Sequence, residues 1–511
     1  MTTPVSRKEC WLVYLLCVFL VFVKMRYGFV SCSESMHLRS EYDLNIYYLI
    51  GNGWMHGMIP YVSMADLKGP LVFLLHGICS IMTPGSFLGL CVANALVVGV
   101  GLLFAYKTAR LFLSTAGSAA VIGLYLYFLF YFAGHPAEQV WTLQHVTMYL
   151  VLRWSVGRVS CFGRGELVFL GACVAAVLLL KFNLVAFWGP ICLLAICLNG
   201  WRAVLYQGVG FAALMLPCLV YFWWHDALLS LWHEYVVTAV AYGHTPWADS
   251  ALATKHLTLF RGTMPYHLYT RVPACLLAIP GCVPCIIWPL LWFRKDLPLR
   301  RAAFWVLLCS FVVSAYASYS GKYDFLHYAF VFFPFCLLSL VYGVCLLQPY
   351  AGRVLNVLGA VAAASVILVS TGLPVYVKRG RQYNGNAQMK ETAQRMSDWM
   401  NSVPHDDIFI LDGEMSLYLY RLTGRLPQIK HFVPPLIHGG ERLYQQEQVD
   451  YIKQFKPKYL IGSDWCKEKE AALIRQSGVT YTAVTHRQLG LPPYPPHAKQ
   501  PEIILYTRVD E

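Results

Sequence analysis

Apolar runs of membrane-spanning length recur along this chain from Cys10 to about Thr371. A bilayer is the solvent that accepts so many of them, and because hydrocarbon offers no hydrogen bonds to the backbone, each run is predicted to be an α-helix. Candidate spans are 10–30, 86–106, 115–133, 139–155, 166–180, 183–199, 203–224, 272–292, 301–318, 327–347 and 353–372. They number about eleven, several of them short against the usual 17–25 residues or so. After Thr371 the composition changes, and Lys, Arg, Asp and Glu are spread throughout. The fold class expected is therefore a multi-span α-helical membrane protein, with a polytopic membrane domain over 1–372 and a soluble α/β domain over 373–511.

Charge sets the orientation. The formal net charge is +13, yet only 13% of the residues are charged, so a basic balance here speaks of topology before nucleic acid. If the short run 69–83, bounded by Pro70 and Pro84, stays outside the cytoplasm, then Arg7, Lys8, Lys107, Arg110, Arg153, Arg158, Arg164, Arg202, the stretch "FRKDLPLRR" and Arg353 all fall in inner loops. That is the positive-inside pattern. The first apolar run has no clear small-residue cleavage site and reads as a retained helix. An internal N-terminus and an odd number of spans put the C-terminal domain outside. The outer face then receives a long first loop (about 31–85), "GHPAEQ", the 225–270 loop and "SGKYDFLH".

The C-terminal region alternates helical patterns with "DIFIL", "KYLIG", "VTYTAV" and "EIILYT", which read as strands of a small α/β layer. No Gly-rich dinucleotide or P-loop pattern is present, and no repeat of fixed period. Most of the 17 cysteines lie in apolar runs, where cysteine behaves as a small hydrophobe. "CVPC" at Cys282–Cys285 sits in such a run and reads as packing. The 225–270 loop carries His225, Asp226, His233, Glu234, His244 and His256, without the tight spacing of a zinc site.

The first loop carries the chemistry. "YDLNIYYLIGNGWMHG" (42–57) has apolar and aromatic residues at helical spacing and predicts an amphipathic helix along the membrane surface. Asp43 at its start has two readings: a carboxylate complementing the helix N-terminus, or a catalytic base. Further on, "MADLKGPLVFLLHG" sets Asp66 and Lys68 against an apolar run. Taken together, Asp43, Gly51, Gly57, "IPY" (59–61), Asp66 and "KGPL" (68–71) resemble the first outer loop of GT-C fold, polyprenyl-phosphate-sugar-dependent glycosyltransferases, among them bacterial relatives of protein O-mannosyltransferase and lipid A aminoarabinose transferase. The likeness runs on through "GHPAEQ", "LLLKFN" and "KYDFLHY", and weakly into "DDIFILDGEMSLYLYRLTGRLP". Two positions depart from the common bacterial pattern: Ser63 stands where an acidic residue often follows Pro-Tyr, and Leu67 where His often precedes Lys.

The resemblance implies transfer of a sugar, with inversion, from a polyprenyl-phosphate donor to a lipid-linked glycan, lipid or protein acceptor at the outer face of a bacterial plasma membrane. A hydroxyl is a poor nucleophile, so a carboxylate must take its proton as the oxocarbenium-like centre forms. Asp43 matches the base position. Asp66 is read as a second catalytic carboxylate that orients the acceptor or holds the base; the bland alternative is a surface charge that pairs locally. Lys68 either binds the donor phosphate as a point charge or snorkels from the membrane edge. Glu138 matches an acidic position on the outer face that orients the acceptor or, in some relatives, touches a metal; the bland alternative is a solvated loop acid. Lys181, beside Asn183 between two apolar runs, and His327 and Tyr328, near Lys322, match donor-phosphate positions; the bland alternatives are a snorkelling lysine and an aromatic belt. No cofactor is certain from this reading, and a divalent metal, open in principle, finds no supporting ligand set in the sequence. The expected partners are the lipid-linked donor, the acceptor and membrane lipids, with no nucleic acid. The competing functions are a polytopic transporter or lipid-linked sugar flippase, and a noncatalytic anchor; transport predicts ionisable groups deep within several spans, whereas the distinctive charges here collect in outer loops.

Overall fold

In the computed structural model of the chain, residues 5–23, 25, 42–128, 135–244, 287–297, 299–319, 332–347, 387–411, 417–435, 439–463, 466–484 and 503–509 are described. Apolar runs become helices: α1 (Arg7–Val23), α2 (Tyr42–Met55), α3 (Pro70–Met82), α4 (Leu88–Ala109), α5 (Thr115–Phe128), α6 (Pro136–Ser155), α7 (Arg164–Lys181), α8 (Trp188–Asn199) and α9 (Trp201–Trp224). The chain divides into two compact units. One takes in Met1–Phe29, Cys91–Tyr221 and Pro246–Pro374; the other takes in Val30–Leu90, Phe222–Thr245 and Val375–Glu511.

The first unit is helical. Among the described residues, the segments Leu88–Ala109, Arg164–Asn199 and Trp201–Trp224 are long and apolar enough to cross a membrane, and Thr115–Tyr125, Arg301–Ala317 and Phe333–Leu347 are shorter apolar helices. Eleven spans is thus more than the described residues display; run 353–372 and most of 272–292 fall outside them. The runs 166–180 and 183–199 are α7 and α8, which meet at Lys181 and a 3-10 turn, Phe182–Phe187. Only 11% of the apolar window of α9 is buried by protein, which marks a helix made to face lipid. Where α7 and α9 cross, side chains are absent: a Cβ on Gly171 would lie 1.8 Å from the Gln207 carbonyl oxygen, and one on Gly210 1.8 Å from that of Val168. Small residues replace hydrophobic driving force as the means of close helix packing in lipid.

One end of this unit gathers the basic residues expected in inner loops. The start of α1 meets the end of α4, with Tyr106 donating to Glu9 at 2.5 Å and the Arg110 guanidinium 3.4 Å from the same carboxylate. The end of α6 meets the start of the Arg301–Tyr319 helix, where the Arg300 N–H donates to Ser155 at 3.2 Å and its guanidinium lies over the Trp154 ring.

The second unit joins α2 and α3 to a four-stranded sheet with its own helices. The strands are β1 (Ile408–Ile410), β2 (Tyr459–Ser463), β3 (Tyr481–Val484) and β4 (Ile503–Arg508), in the order β1-β2-β4-β3. β1 and β2 are parallel, and the other pairings are antiparallel. All four segments read as strands from their β-rich runs are strands. Phe409, Leu411, Tyr451, Ile452, Leu460, Ile474 and Tyr506 form the core beneath them. Each such side chain, fully buried, contributes about 1.5–3 kcal/mol.

The α2 helix departs from its amphipathic reading. Leu44 through Gly53 are buried all round. One side packs on α3 so closely that a Cβ on Gly51 would lie 2.4 Å from the Gly77 nitrogen, and one on Gly77 2.5 Å from the Gly51 oxygen. Another side receives Arg421, whose Nε donates to Asn45 at 2.9 Å and whose Nη1 donates to the Gly85 carbonyl at 2.5 Å. Tyr48 accepts the Gly85 N–H at 2.8 Å and packs edge-on to Phe87. A helix enclosed by protein keeps its polar residues inward, so helical periodicity did not separate a wet face from a dry one. α3 has 13 residues, a rise of about 20 Å, which is short of the roughly 30 Å hydrocarbon core.

Candidate active site

The turn before α3 shows how the first loop is built. Asp66 bends back so that its carboxylate accepts the Lys68 N–H at 3.2 Å, an Asx-type turn. Gly69 then caps the helix and Pro70 opens it, a place where the missing N–H costs nothing. Tyr61 has a left-handed backbone (φ 68°), which a residue with a Cβ adopts only when its surroundings hold it there. Those surroundings are on view. The Tyr61 N–H donates to the Met64 carbonyl at 2.7 Å, its phenol donates to the Lys68 carbonyl at 2.6 Å, and its ring packs against Phe73, Phe222 and Tyr235. The "IPY" stretch is therefore the clamp that fixes the backbone of Lys68.

Tyr47 is the hub. One helical turn after Asp43, it donates its phenol proton to Asp43 Oδ2 at 3.1 Å. The Lys68 ammonium lies 5.4 Å from the centroid of the same ring, within cation–π range. His76 meets that ring edge-on at 5.4 Å, and Phe73 at 6.3 Å. Asp43, Asp66 and Lys68, singled out in the sequence, thus come together around a tyrosine that sequence reasoning passed over. The Asp-x-x-x-Tyr spacing was the signal available, since residues four apart share a helix face.

Asp66 keeps some exposed surface but is ringed by protein atoms. Burial pushes its carboxyl above the ordinary carboxylate range; the Lys68 charge and the Leu67 and Lys68 N–H groups oppose this, while the neighbouring Asp43 adds to it. Two carboxylates and one lysine in a confined site make proton and anion chemistry compatible. The Lys68 ammonium, held over the Tyr47 ring, brings a positive charge to bear on Asp66.

Glu138, in the first unit, is fully buried; it accepts a short hydrogen bond from Asn94 Nδ2 and closes the first turn of α6 by accepting the His135 N–H at 3.4 Å. Lys181 ends α7, and Asn183 donates to the Ala317 carbonyl at 3.2 Å. Lys322, His327 and Tyr328 lie outside the described residues.

A second polar cluster braces the first loop. A π-helical turn, Trp232–Val237, aims Glu234 inward, where Lys430 donates to it at 2.6 Å and His431 Nε2 stands 3.7 Å away. His431 Nδ1 is 2.6 Å from Glu447, and the Lys430 carbonyl accepts the N–H of Ala65, next to Asp66, at 3.1 Å. Burial raises the Glu234 pKa, but hydrogen bonds from His431 and Lys430 and their charges outweigh it and hold the carboxyl down to about 2. His431 is pushed down by burial and, more strongly, up by Glu234 and Glu447, so it stays protonated above its ordinary range.

The sign of the pH effect follows. The Glu234 contribution is present above about pH 4.5, its ordinary value, and is lost as pH falls toward 2. The His431 contribution is present below about pH 6.5 and is lost as pH rises through its raised pKa. His431→Gln is expected to flatten the alkaline limb of a melting-temperature profile. It should also lower the Tm near pH 6 by about 4–8 °C, for a loss of about 2 kcal/mol. An unchanged profile would show that the cluster does not brace the loop.

The complete fold is similar to that of ArnT from Cupriavidus metallidurans. It matches the apo structure with a TM-score of 0.62, and the structure bound to undecaprenyl phosphate with a TM-score of 0.60; in each case the identity is 12% and 99% of both chains is covered. No family model matches the chain, and no curated protein sequence does. At that identity the likeness is one of fold, and it is the GT-C fold that the first loop implied.

Proposed function

We infer that the chain is an integral membrane glycosyltransferase that moves a sugar from a polyprenyl-phosphate donor to a lipid-linked glycan, lipid or protein acceptor at the outer face of a bacterial plasma membrane. One observation carries this reading: Asp43 and Lys68 meet at Tyr47, with Asp66 electrostatically coupled to both, in a chain with the fold of a protein solved with undecaprenyl phosphate bound. In the reaction, the acceptor hydroxyl oxygen attacks the anomeric carbon and its proton passes to Asp43. The bond from that carbon to the phosphate oxygen breaks, and the phosphate leaves with the electron pair. Lys68 neutralises the charge that develops there. A single displacement inverts the sugar.

Asp66 serves to set the loop, since it fixes the Lys68 backbone. Lys181, His327 and Tyr328 are assigned to the donor phosphate. Glu138, being buried, is a positioning residue that orients the acceptor side through the start of α6. The C-terminal segment is assigned to the extracytoplasmic side.

The test uses the full chain in nanodiscs, with a panel of undecaprenyl-phosphate-linked sugars and lipid, glycan and peptide acceptors, read by mass spectrometry. Release of undecaprenyl phosphate with a glycosylated product is expected. Lys68→Met should raise the donor KM by about tenfold or more, as a lost charge-assisted contact of about 1.5–3 kcal/mol requires. No transfer from any polyprenyl-phosphate sugar, with the protein folded, would overturn the reading.

A further inference from the structure

The chain leaves α9 through a Schellman motif. Asp226 takes a left-handed backbone (φ 52°), its N–H donates to the Trp223 carbonyl at 3.1 Å, and the Ala227 N–H donates to that of Phe222 at 2.8 Å. Helical structure then resumes as Leu228–Leu231, the π turn Trp232–Val237, and Thr238–His244, all within the second unit. Leu228 is four positions beyond the end of α9, so the chain holds its start within roughly 14 Å of a helix made to face lipid.

The faces of this segment are inverted relative to a helix in water. Glu234, Tyr235 and Thr238 are buried. The Glu234 carboxylate accepts from Lys430, the Tyr235 ring stacks on Tyr61, and the Thr238 hydroxyl donates to the His233 carbonyl at 2.9 Å. Leu228, Leu229, Trp232, Val237 and Val240 are exposed, Leu229 at 78% and Trp232 at 58%. Among the exposed residues from 228 to 241, His233 is the one polar side chain. The wider π turn makes room for this arrangement, since it lets the adjacent Glu234 and Tyr235 both turn inward while Val237 keeps step with Trp232. A helix on a wet surface keeps its carboxylates and hydroxyls outside and its leucines and tryptophans inside. The reverse order is unfavourable in water and favourable against hydrocarbon. Trp223 and Trp224, exposed just before the turn, supply indoles of the kind that settle where acyl chains meet headgroups.

We propose that Leu228–His244 lies in the plane of the membrane, its Leu229, Trp232, Val237 and Val240 face seated on the acyl chains just beneath the headgroups. The partner is the lipid of the leaflet in which α9 ends, continuous with the lipid around that helix. The opposite face reaches Tyr61 and Lys430. Tyr61 holds the Lys68 carbonyl and Lys430 holds the Ala65 N–H, so the segment ties both ends of the Ala65–Lys68 turn to the lipid surface.

The test uses the full-length protein, labelled throughout with fluorotryptophan, in phosphatidylcholine nanodiscs. The Trp232 fluorine resonance is identified by its absence from Trp232→Phe, and Leu229→Trp and Val240→Trp each add a resonance on the same face. Relaxation is compared between a phospholipid carrying a nitroxide at the top of its acyl chain and a water-soluble gadolinium chelate. The three resonances are expected to vanish with the nitroxide lipid and to survive the chelate. Loss of Trp232 with the chelate would show a face turned to water. Survival with both agents would show a cover of protein, from another part of the chain or from a second copy. Either result overturns the proposal, and because no turnover is measured the outcome is independent of the transferase reading.

Discussion

Asp43→Asn is expected to lower kcat by about 10²–10⁴-fold while the protein inserts, folds and melts as before. The substitution separates the two readings of this residue. Asparagine still accepts the Tyr47 phenol proton that Asp43 accepts at 3.1 Å. It is also as good as aspartate where a side chain must satisfy the start of a helix, so a purely structural role survives the change. What asparagine lacks is a basic oxygen for the acceptor proton. Tyr47→Phe is the companion measurement: it keeps the ring beneath Lys68 and removes the donor to Asp43, so a smaller fall in kcat is expected, with the donor KM little changed. Initial rates under saturating donor, together with melting curves, decide the matter. Parental turnover in Asp43→Asn would return the residue to a helix-start role and remove the proposed base.

The second large effect concerns packing. Gly77→Leu is expected to destabilise the second unit by about 3 kcal/mol or more and to abolish transfer with it. The reason is geometric. A Cβ at Gly77 meets the Gly51 backbone oxygen at 2.5 Å, and backbone cannot swing aside as a side chain can. The α2 and α3 helices must part. Asp43 and Tyr47 lie on one of them, and Phe73 and His76, which meet the Tyr47 ring, on the other. Gly57→Ala is the contrast, because no atom lies near its Cβ; its φ of 89° makes it a backbone-strain control of about 1–2 kcal/mol. Detergent-resistant melting and expression level measure the difference, and wild-type stability in Gly77→Leu would contradict the close crossing.

How far the sequence carried can be judged from particular residues. Asp43, Asp66 and Lys68 were legible because charge beside apolar runs is costly and therefore conspicuous. The four strands were legible because β-branched and aromatic residues cluster between turn residues. Tyr47 was not, since a tyrosine in "NIYYLIG" is indistinguishable from packing until its hydroxyl finds Asp43. Arg421 was hidden for another reason. It lies in "LYLYRLTG", 1% exposed, and its partners Asn45 and Gly85 are hundreds of residues away, a pairing that no local pattern encodes. Glu234, Lys430, His431 and Glu447 pose the same difficulty: the histidine-rich loop lacks the spacing of a metal site and its local pattern names no other partner, and its glutamate faces a lysine and a histidine nearly two hundred positions on.

The Asn45–Arg421 bond spans 376 residues. During synthesis α2 and α3 emerge early, and everything between them and Arg421 must be made before the guanidinium arrives. Until then Asn45 on α2 lacks the Arg421 guanidinium, and Ala65 lacks the Lys430 carbonyl that holds the loop beside Asp66. Non-local contacts of this length form late. A ribosome-bound chain not yet made through Lys430 therefore carries Asp43, Asp66 and Lys68 but not their assembled arrangement, so competence waits for residues 421 to 430.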